Sequence, residues 1–399
     1  MKTQTTNYES ETPQVAEVNV DFYNDKVPRS MKERAIAVIL LVFSIGMFSP
    51  ALAANNRPAK DMANVGKITI EVDPRVELIG IVFRLAGNPE FNDGTLRPYV
   101  KAIERHFGDF DGHPVVKMAA QLRQTRSMSC DGPMSLAVHI DGNYRLRKTT
   151  EEWPSTLDYR WEKQETAEFL EKLRQFAAET KFDEFFKAQS EIYEKGIRSC
   201  EGLIAPLNLG KWLVDFFGVK DCGDLRLVLA FVNGFSNYGV RFTSDQTSEK
   251  YAVVGMRPFD PANTVIFRPM QIGFTVHEFC HSFVNPIVTK HMDRLRSAGE
   301  KLFAVHEPAM RMGGYQKWES IMYETAVRAC VMSFVRQKLE PMYLDYFLKA
   351  EVRVGFIWVE DAGNFIKKYD DSRDKYPTFE LFFPEFVTFL NKYSKESKQ

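Results

Sequence analysis

The chain has 399 residues, of which 44% are hydrophobic and 32 are phenylalanine, so it can bury a large core in one large domain or two smaller ones. Its 52 basic and 53 acidic residues nearly cancel and leave a net charge of −1 at pH 7. That balance gives no support for nucleic-acid binding, which depends on a strongly basic surface, and no nucleic-acid partner is expected.

An uncharged segment, residues 35–54, lies near the start of the chain and predicts export. It follows the short basic start Met31-Lys32-Glu33-Arg34 and ends in Ala51-Leu52-Ala53, which is typical of a secretory signal peptide over residues 31–53. The run is nearly long enough to span a bilayer, so an uncleaved membrane anchor is the alternative. Both interpretations place the following domain outside the cytoplasm, secreted or periplasmic.

The polar, acid-rich residues 1–30 fit poorly in front of a signal peptide and are predicted to be a non-translated or disordered leader. Residues 54–215 are predicted to form an N-terminal, mostly helical region. Within it, residues 67–72 alternate with period two, as in a strand, and the dense apolar residues 77–85 predict a buried helix. Apolar residues at helical spacing between residues 151 and 195 predict amphipathic helices.

A second region, residues 216–399, begins with short apolar runs that are separated by polar turns. The runs are Leu225–Val232, Val240–Phe242, Tyr251–Met256 and Thr264–Phe267. Short strands joined by short turns predict a small, mainly antiparallel sheet. Because helices follow the sheet, the predicted fold class is α+β.

Helical spacing and helix-ending residues predict a helical half after this sheet. The predicted helices are Gln271–Asn285, Met292–Phe303, Trp318–Lys338, Tyr346–Ile357 and Phe379–Leu390. Pro286 is expected to end the first helix, because proline disfavours helical geometry in the residue before it. His306-Glu307-Pro308 is predicted to be loop, and Gly313-Gly314 suggests that the segment 290–316 is mobile.

His277-Glu278-Phe279-Cys280-His281 is an HExxH motif in the first of these helices. Two histidines at positions i and i+4 lie on one helix face, close enough to share a tetrahedral metal ion. Glu278 is then placed to take a proton from water. We therefore predict His277 and His281 as metal ligands, Glu278 as catalytic base and Zn²⁺ as cofactor. The alternative is a surface helix with an accidental histidine pair.

A third protein ligand is needed, because zinc hydrolases normally use three and leave one position for water. Val284 and Ile287 exclude the HExxHxxGxxH arrangement, which needs glycine and histidine there. The downstream candidates are His291, Glu300, His306, Glu307, Glu319 and Glu324.

Burial favours Glu324, which shares an apolar helix face with Ile321, Val327 and Val331, where an unpaired carboxylate is costly. Glu319, near the helix start, suits the helix dipole without a metal and stays as the alternative. Arg328, one turn after Glu324, is predicted either to orient that carboxylate or to form an ordinary salt bridge.

The five cysteines are odd in number and include no CxxC pair, so no disulfide framework is predicted. A Cys200–Cys222 bridge is conceivable but has no support. Cys280 projects away from both histidines and is expected to pack in the core.

An HExxH motif followed by a glutamate on a later helix resembles the gluzincin class of zinc metallopeptidases. More closely, the chain resembles a family of secreted bacterial proteins that is filed as a domain of unknown function. The resembling stretches are Val72–Leu78, Phe83–Gly87, Asn237–Gly239, His277–Pro286 and Tyr323–Ala329.

The resemblance implies a zincin-like fold for residues 216–399, zinc on His277, His281 and Glu324, and Glu278 as the base. Glu324 follows His281 by 43 positions (324 − 281), a wider spacing than in better-known gluzincins, and the segment 290–316 could account for the excess.

The function that these features predict is a secreted zinc metallopeptidase that cleaves peptides or proteins. Its sheet would hold the peptide along an edge strand, for which Tyr251–Met256 or Thr264–Phe267 is the candidate. Tyr315, Tyr323 and His306 are candidates for the donor to the oxyanion. The alternatives are a non-catalytic extracytoplasmic binding protein that keeps the fold, and a zinc amidase acting on cell-wall peptides.

Overall fold

The computed structural model of the chain describes residues 66–396, so the predicted leader 1–30 and signal peptide 31–53 lie outside the described residues. The described part contains four β-strands and fourteen α-helices. The strands are β1 (Ile68–Glu71), β2 (Asp224–Ala230), β3 (Asn237–Thr243) and β4 (Ser248–Gly255). None of the helices between residues 66 and 396 combines the length and apolar character needed to cross a membrane.

The helices are grouped before and after the last three strands. The first group is α1 (Pro74–Leu85), α2 (Arg97–Phe107), α3 (Pro114–Arg126), α4 (Asp131–His139), α5 (Lys163–Glu179), α6 (Phe182–Ala188), α7 (Ser190–Ile204) and α8 (Leu209–Phe217). The second group is α9 (Pro269–Lys290), α10 (Met292–Met312), α11 (Trp318–Lys338), α12 (Pro341–Arg353), α13 (Val359–Asp370) and α14 (Phe379–Glu396).

The sheet confirms the predicted α+β class, but its pairing is mixed and the expectation of a mainly antiparallel sheet is wrong. The strand order is β1-β2-β4-β3, with β1 parallel to β2, β2 parallel to β4, and only β3 antiparallel to β4. Parallel neighbours need long crossover connections, and here the eight helices of the first group connect β1 to β2. The sheet therefore combines β1 from the predicted N-terminal region, residues 54–215, with three strands from the second predicted region, residues 216–399.

Two predicted edge strands are also wrong. Tyr251 lies in β4, which pairs with a strand on each side, and residues 264–267 belong to no strand. The strand at the end of the order that neighbours the motif helix is β3, which packs against α9 together with β4. Apolar runs in the sequence indicate buried strands, whereas an edge strand is determined by long-range pairing.

Helix α9 carries the HExxH motif and continues four residues beyond Pro286, so the predicted end at Asn285 is wrong. The tendency of the residue before proline to avoid helical geometry is only a preference, and packing of α9 against α11 and the sheet overrides it. The Thr289 hydroxyl donates to the Asn285 carbonyl at 2.9 Å across this turn.

The segment 290–316 is mostly helix α10, and not the mobile loop that the glycine pair suggested. The predicted loop at His306 appears as a kink, where φ is −114° and ψ is 15°, two residues before Pro308. Helix α10 packs along α11 and α14. Helix α11 begins and ends as predicted, at Trp318 and Lys338.

A close approach brings the strand β3 to the motif helix α9. A Cβ atom on Gly239 would lie 2.3 Å from the Glu278 carbonyl oxygen, so only glycine allows this contact. Three residues further along β3, Phe242 contacts the ring of His139 in α4 on the opposite face of the strand. β3 is thus packed between α4 and α9.

A buried carboxylate, Glu77 in α1, fixes the turn that leads to β3. The Phe231 amide donates to Glu77 Oε1 at 2.7 Å, and the Tyr99 hydroxyl donates to Glu77 Oε2 at 2.6 Å. Burial raises the pKa of Glu77 from 4.5 to about 7 in spite of these hydrogen bonds.

We expect Glu77→Gln to flatten the pH dependence of stability. Because the folded-state pKa of Glu77 lies above its unfolded value, its contribution is fully present below pH 4.5 and is lost as the pH rises through about 7. Between about pH 5 and pH 8, the free energy of unfolding should fall by about 2–3 kcal/mol less in the variant than in the wild type. Urea unfolding of both proteins at the two pH values measures this difference. An equal fall in the free energy of unfolding in both proteins would contradict the prediction.

Candidate metal centre

The two motif histidines lie one turn apart on the buried face of α9. Their Nε2 atoms are 3.1 Å apart, and both side chains are buried. Helix α9 holds them there because it packs against β3, β4 and α11, so the i, i+4 spacing in the sequence becomes a convergent pair in space.

Glu324 completes the group from the facing helix α11. One of its carboxylate oxygens lies 3.3 Å from His277 Nε2, and the other lies 3.5 Å from His281 Nε2. Within residues 66–396, these three residues are the only ones whose histidine, cysteine or carboxylate ligand atoms could hold a metal ion together. The ligand atoms all lie within 4.8 Å of one another.

The other candidates for a third ligand stand outside this group. The His291 ring packs against Phe383 with ring centroids 5.4 Å apart, and the His306 ring packs against Trp358 at 5.3 Å, both in tilted arrangements. Glu319 lies on α11 in the first turn and is only partly buried. The structure therefore brings together the residues that burial favoured in the sequence.

Both imidazoles are held in the form that can bind a metal. His281 Nδ1 lies 3.1 Å from Asn285 Oδ1, an acceptor, so Nδ1 carries the proton and Nε2 presents its lone pair toward His277. Burial lowers the pKa of His277 to about 4 and also lowers the pKa of His281, which keeps both rings neutral at physiological pH.

Arg328 is fully buried and ties the carboxylate of Glu324 to its surroundings. Its Nη1 donates to Glu324, its Nε donates to Glu351 at 2.6 Å, and its Nη2 donates to the Tyr315 hydroxyl at 3.0 Å. The guanidinium carbon also lies 4.2 Å from the centroid of the Phe356 ring. Burial alone would raise the pKa of Glu324, but Arg328 and His277 hold it below its usual range.

Glu278 is buried beside the histidines and, together with His277, lines a narrow cleft. Burial raises the pKa of its carboxyl well above the usual range, and the nearby charge of Glu324 raises it further. A carboxylate with a raised pKa accepts a proton more readily near neutral pH, which suits a general base.

The chemistry of these donors fits a divalent cation. Glu324 and Glu351 share a single buried guanidinium, Arg328, so their ionised forms carry one negative charge more than it balances, and ionisation of the buried Glu278 would add a second. A divalent ion would neutralise both charges. The 3.1 Å between the two Nε2 atoms is also close to the roughly 3.3 Å between tetrahedral ligands that each lie about 2.0–2.1 Å from zinc. The two oxygens of Glu324 lie at similar distances, one 3.3 Å from His277 Nε2 and the other 3.5 Å from His281 Nε2.

A narrow cleft with a volume of about 20 Å³ opens beside His277 and Glu278. Its remaining lining residues are Asn237, Gly273, Phe274, Phe347 and Glu351. Glu351 is the one buried residue of α12, and the sequence analysis missed it. A glutamate one turn after Phe347 on a largely apolar helix was the available signal, but its partner Arg328 lies 23 positions away in the chain.

None of the three candidate oxyanion donors is among the residues that line this cleft. The Tyr315 hydroxyl accepts from Arg328, and the Tyr323 hydroxyl lies 2.9 Å from the Thr289 hydroxyl. His306 packs on Trp358. The role of oxyanion donor stays open.

All five cysteines lie within the described residues as free thiols, so the Cys200–Cys222 bridge is not formed. Cys280 is fully buried, and this burial raises the pKa of its thiol. It packs in the core behind the motif, as expected from the direction of its side chain.

We expect Glu324→Gln to weaken zinc binding by more than about 100-fold. Substituting a group that only supports a metal ligand typically costs 10- to 100-fold in affinity, and the loss of a charged ligand should cost more. Glu319→Gln on the same helix is the matched control and should bind zinc as the wild type does. Zinc titration by calorimetry compares the three proteins. An equal loss of zinc affinity in both variants would contradict the role of Glu324 as a metal ligand.

Comparison with known protein families gives one match. A family model described as a domain of unknown function (DUF4932) matches residues 68–389, a range that contains the whole sheet and every residue of the site. No curated protein and no solved structure gives a significant match.

Proposed function

The chain belongs to the DUF4932 family, a domain of unknown function, and because that description carries no activity, we propose from the site alone that the protein is a zinc-dependent hydrolase. More specifically, the proposal is a secreted metallopeptidase of the gluzincin type. The observation that carries it is the convergence of His277, His281 and Glu324 beside the buried base Glu278.

In this proposal His277, His281 and Glu324 hold the metal ion. Bound there, zinc would supply Lewis-acid activation of water and of the scissile carbonyl. Glu278 takes the proton of the attacking water and later passes it to the leaving amine. Arg328 orients Glu324 through its hydrogen bond, and the narrow cleft limits access of bulk water to the reacting atoms.

The arrangement of β3 supports a peptide as the substrate. This strand is at one end of the strand order, and its residue Gly239 touches the backbone of Glu278. An extended peptide can add to the edge of a sheet through backbone hydrogen bonds, which holds the scissile bond in a fixed register. Asn237, at the start of β3, also lines the cleft.

Metal analysis combined with a cleavage assay tests the proposal. The purified protein should bind about one zinc ion per chain. It should cleave members of a mixed peptide library that includes cell-wall peptides, with products identified by mass spectrometry. A chelator should abolish cleavage, and added zinc should restore it. Zinc binding without any cleavage would instead favour the non-catalytic binding protein, and cleavage of cell-wall peptides alone would favour the amidase.

A further inference from the structure

The cleft beside His277 and Glu278 is closed to a substrate. Its volume of about 20 Å³ leaves room for about one water molecule, whereas pockets that bind small molecules usually measure about 300–1,000 Å³. Two of the elements that form its walls, α9 and β3, are packed against each other in the core. The third is α12, which contributes Phe347 and Glu351. Access to the proposed metal site therefore depends on α12.

Helix α12 is held to the molecule by little buried surface. Glu351 is the only buried residue among its 13, whereas 15 of the 22 residues of α9 and 16 of the 21 residues of α11 are buried. Several large apolar side chains of α12 contact the core but stay half-buried, namely Tyr343, Leu344, Phe347 and Leu348. Because buried apolar area is the main attraction between a helix and its domain, α12 can detach at a low cost in free energy.

Both ends of α12 lie next to residues that can act as hinges. Before the helix, Leu339 and Glu340 are extended, with ψ angles of 163° and 146°. After it, Gly355 has a φ angle of 98°, which a residue with a side chain rarely adopts. Hinges are typically a few residues at the ends of elements, where the backbone dihedral angles can change. The helical geometry is thus interrupted on each side of α12.

An ion pair joins α12 to the metal centre. Arg328 Nε donates to Glu351 Oε2 at 2.6 Å, and both side chains are buried. The same guanidinium donates through Nη1 to Glu324, the proposed metal ligand. A hydrogen bond between two charged groups is roughly twice as strong as one between neutral groups. This bond therefore compensates for the small apolar contact of α12.

We propose that α12 is a lid over the metal centre and that the ion pair between Glu351 and Arg328 is the latch that holds it closed. The inference rests on the proposed function, because a lid is needed only where a substrate must reach the metal. Opening separates Glu351 from Arg328 and takes Phe347 out of the cleft, which makes room beside α9 and β3. Closing excludes water and returns a second carboxylate to the guanidinium that orients Glu324. Substrate entry is thus coupled to the support of a metal ligand.

Limited digestion of the metal-free full chain with chymotrypsin tests the latch without requiring turnover. A helix of 13 residues that has left its packing is marginal in water, so opening exposes the bond after Tyr346 to the protease. Glu351→Gln keeps the shape of the side chain but removes its charge. Cleavage after Tyr346 should then become about 10-fold faster, because cleavage through a transiently open state follows the population of that state.

Glu340→Gln is the matched control, since it makes the same change on an exposed glutamate directly before α12, and it should be digested as the wild type is. Cleavage after Phe389, a half-buried aromatic residue of α14, reports general unfolding and should be equal in all three proteins. Mass spectrometry of the fragments gives both rates.

Two results would overturn the inference. One is an unchanged rate of cleavage after Tyr346 in Glu351→Gln. The other is an equal acceleration after Tyr346 and after Phe389, since the substitution would then act on the whole fold and not on α12. If the digestion behaves as expected while no peptide is hydrolysed by the protein, the lid stands and only the proposed hydrolysis fails.

Discussion

Replacing Glu278 with glutamine should lower kcat/KM for peptide hydrolysis by about 10²- to 10⁴-fold, the usual contribution of a general base. The amide keeps the size and shape of the carboxyl group in the buried cleft, but it cannot accept a proton from water. The proposed metal ligands His277, His281 and Glu324 are untouched, so the variant should keep its zinc. Steady-state kinetics on a cleaved peptide and metal analysis of the same sample measure the two effects.

Glu77→Gln is the matched control for this experiment. Glu77 is also a fully buried glutamate whose pKa burial raises, but it lies in α1 and does not line the cleft. Its substitution should leave kcat/KM within about threefold of the wild type at a pH where both are folded. Full activity in Glu278→Gln would show that Glu278 takes no part in the reaction. Loss of zinc in that variant would indicate a structural role for Glu278 instead.

The local parts of the site were predictable from the sequence, because helical periodicity alone relates His277 to His281. The bounds of α11 were predictable for the same reason, and Glu324 stood out because it interrupts an apolar face of that helix. Each of these inferences uses residues within a few turns of one helix, where spacing determines geometry.

What the sequence did not provide depends on contacts between distant elements. The direction of β1 relative to β2 is determined by a crossover of eight helices, and no local pattern encodes it. The 43 positions between His281 and Glu324 (324 − 281) are a wider spacing than in better-known gluzincins. Helix α10 explains them, because a complete helix between α9 and α11 returns the chain to the same face. Glu351 was missed because only its pairing with Arg328 gives it a role.

Removal of the buried guanidinium of Arg328 should have the largest effect on the free energy of unfolding. Arg328→Met removes the partner of two buried carboxylates, Glu324 and Glu351, while keeping a side chain of similar length. Breaking a buried ion pair by removing one partner typically costs about 3–5 kcal/mol, because an uncompensated charge stays behind. We expect the metal-free variant to lose about that much unfolding free energy in urea, and less after zinc is added, because the ion compensates the charge on Glu324.

Two further variants separate this electrostatic cause from a loss of packing. Adding Glu351→Gln to Arg328→Met removes one of the stranded charges and should restore part of the stability, as a double-mutant cycle would record. Arg198→Met, which removes the exposed partner of Glu194 on α7, should change the stability by no more than about 1 kcal/mol. Two results together would show that the buried carboxylates do not cause the loss of unfolding free energy. The double variant would be no more stable than Arg328→Met alone, and zinc would stabilise each of these two variants no more than it stabilises the wild type. In that case the charge balance that argues for a divalent cation at this site would fail with it.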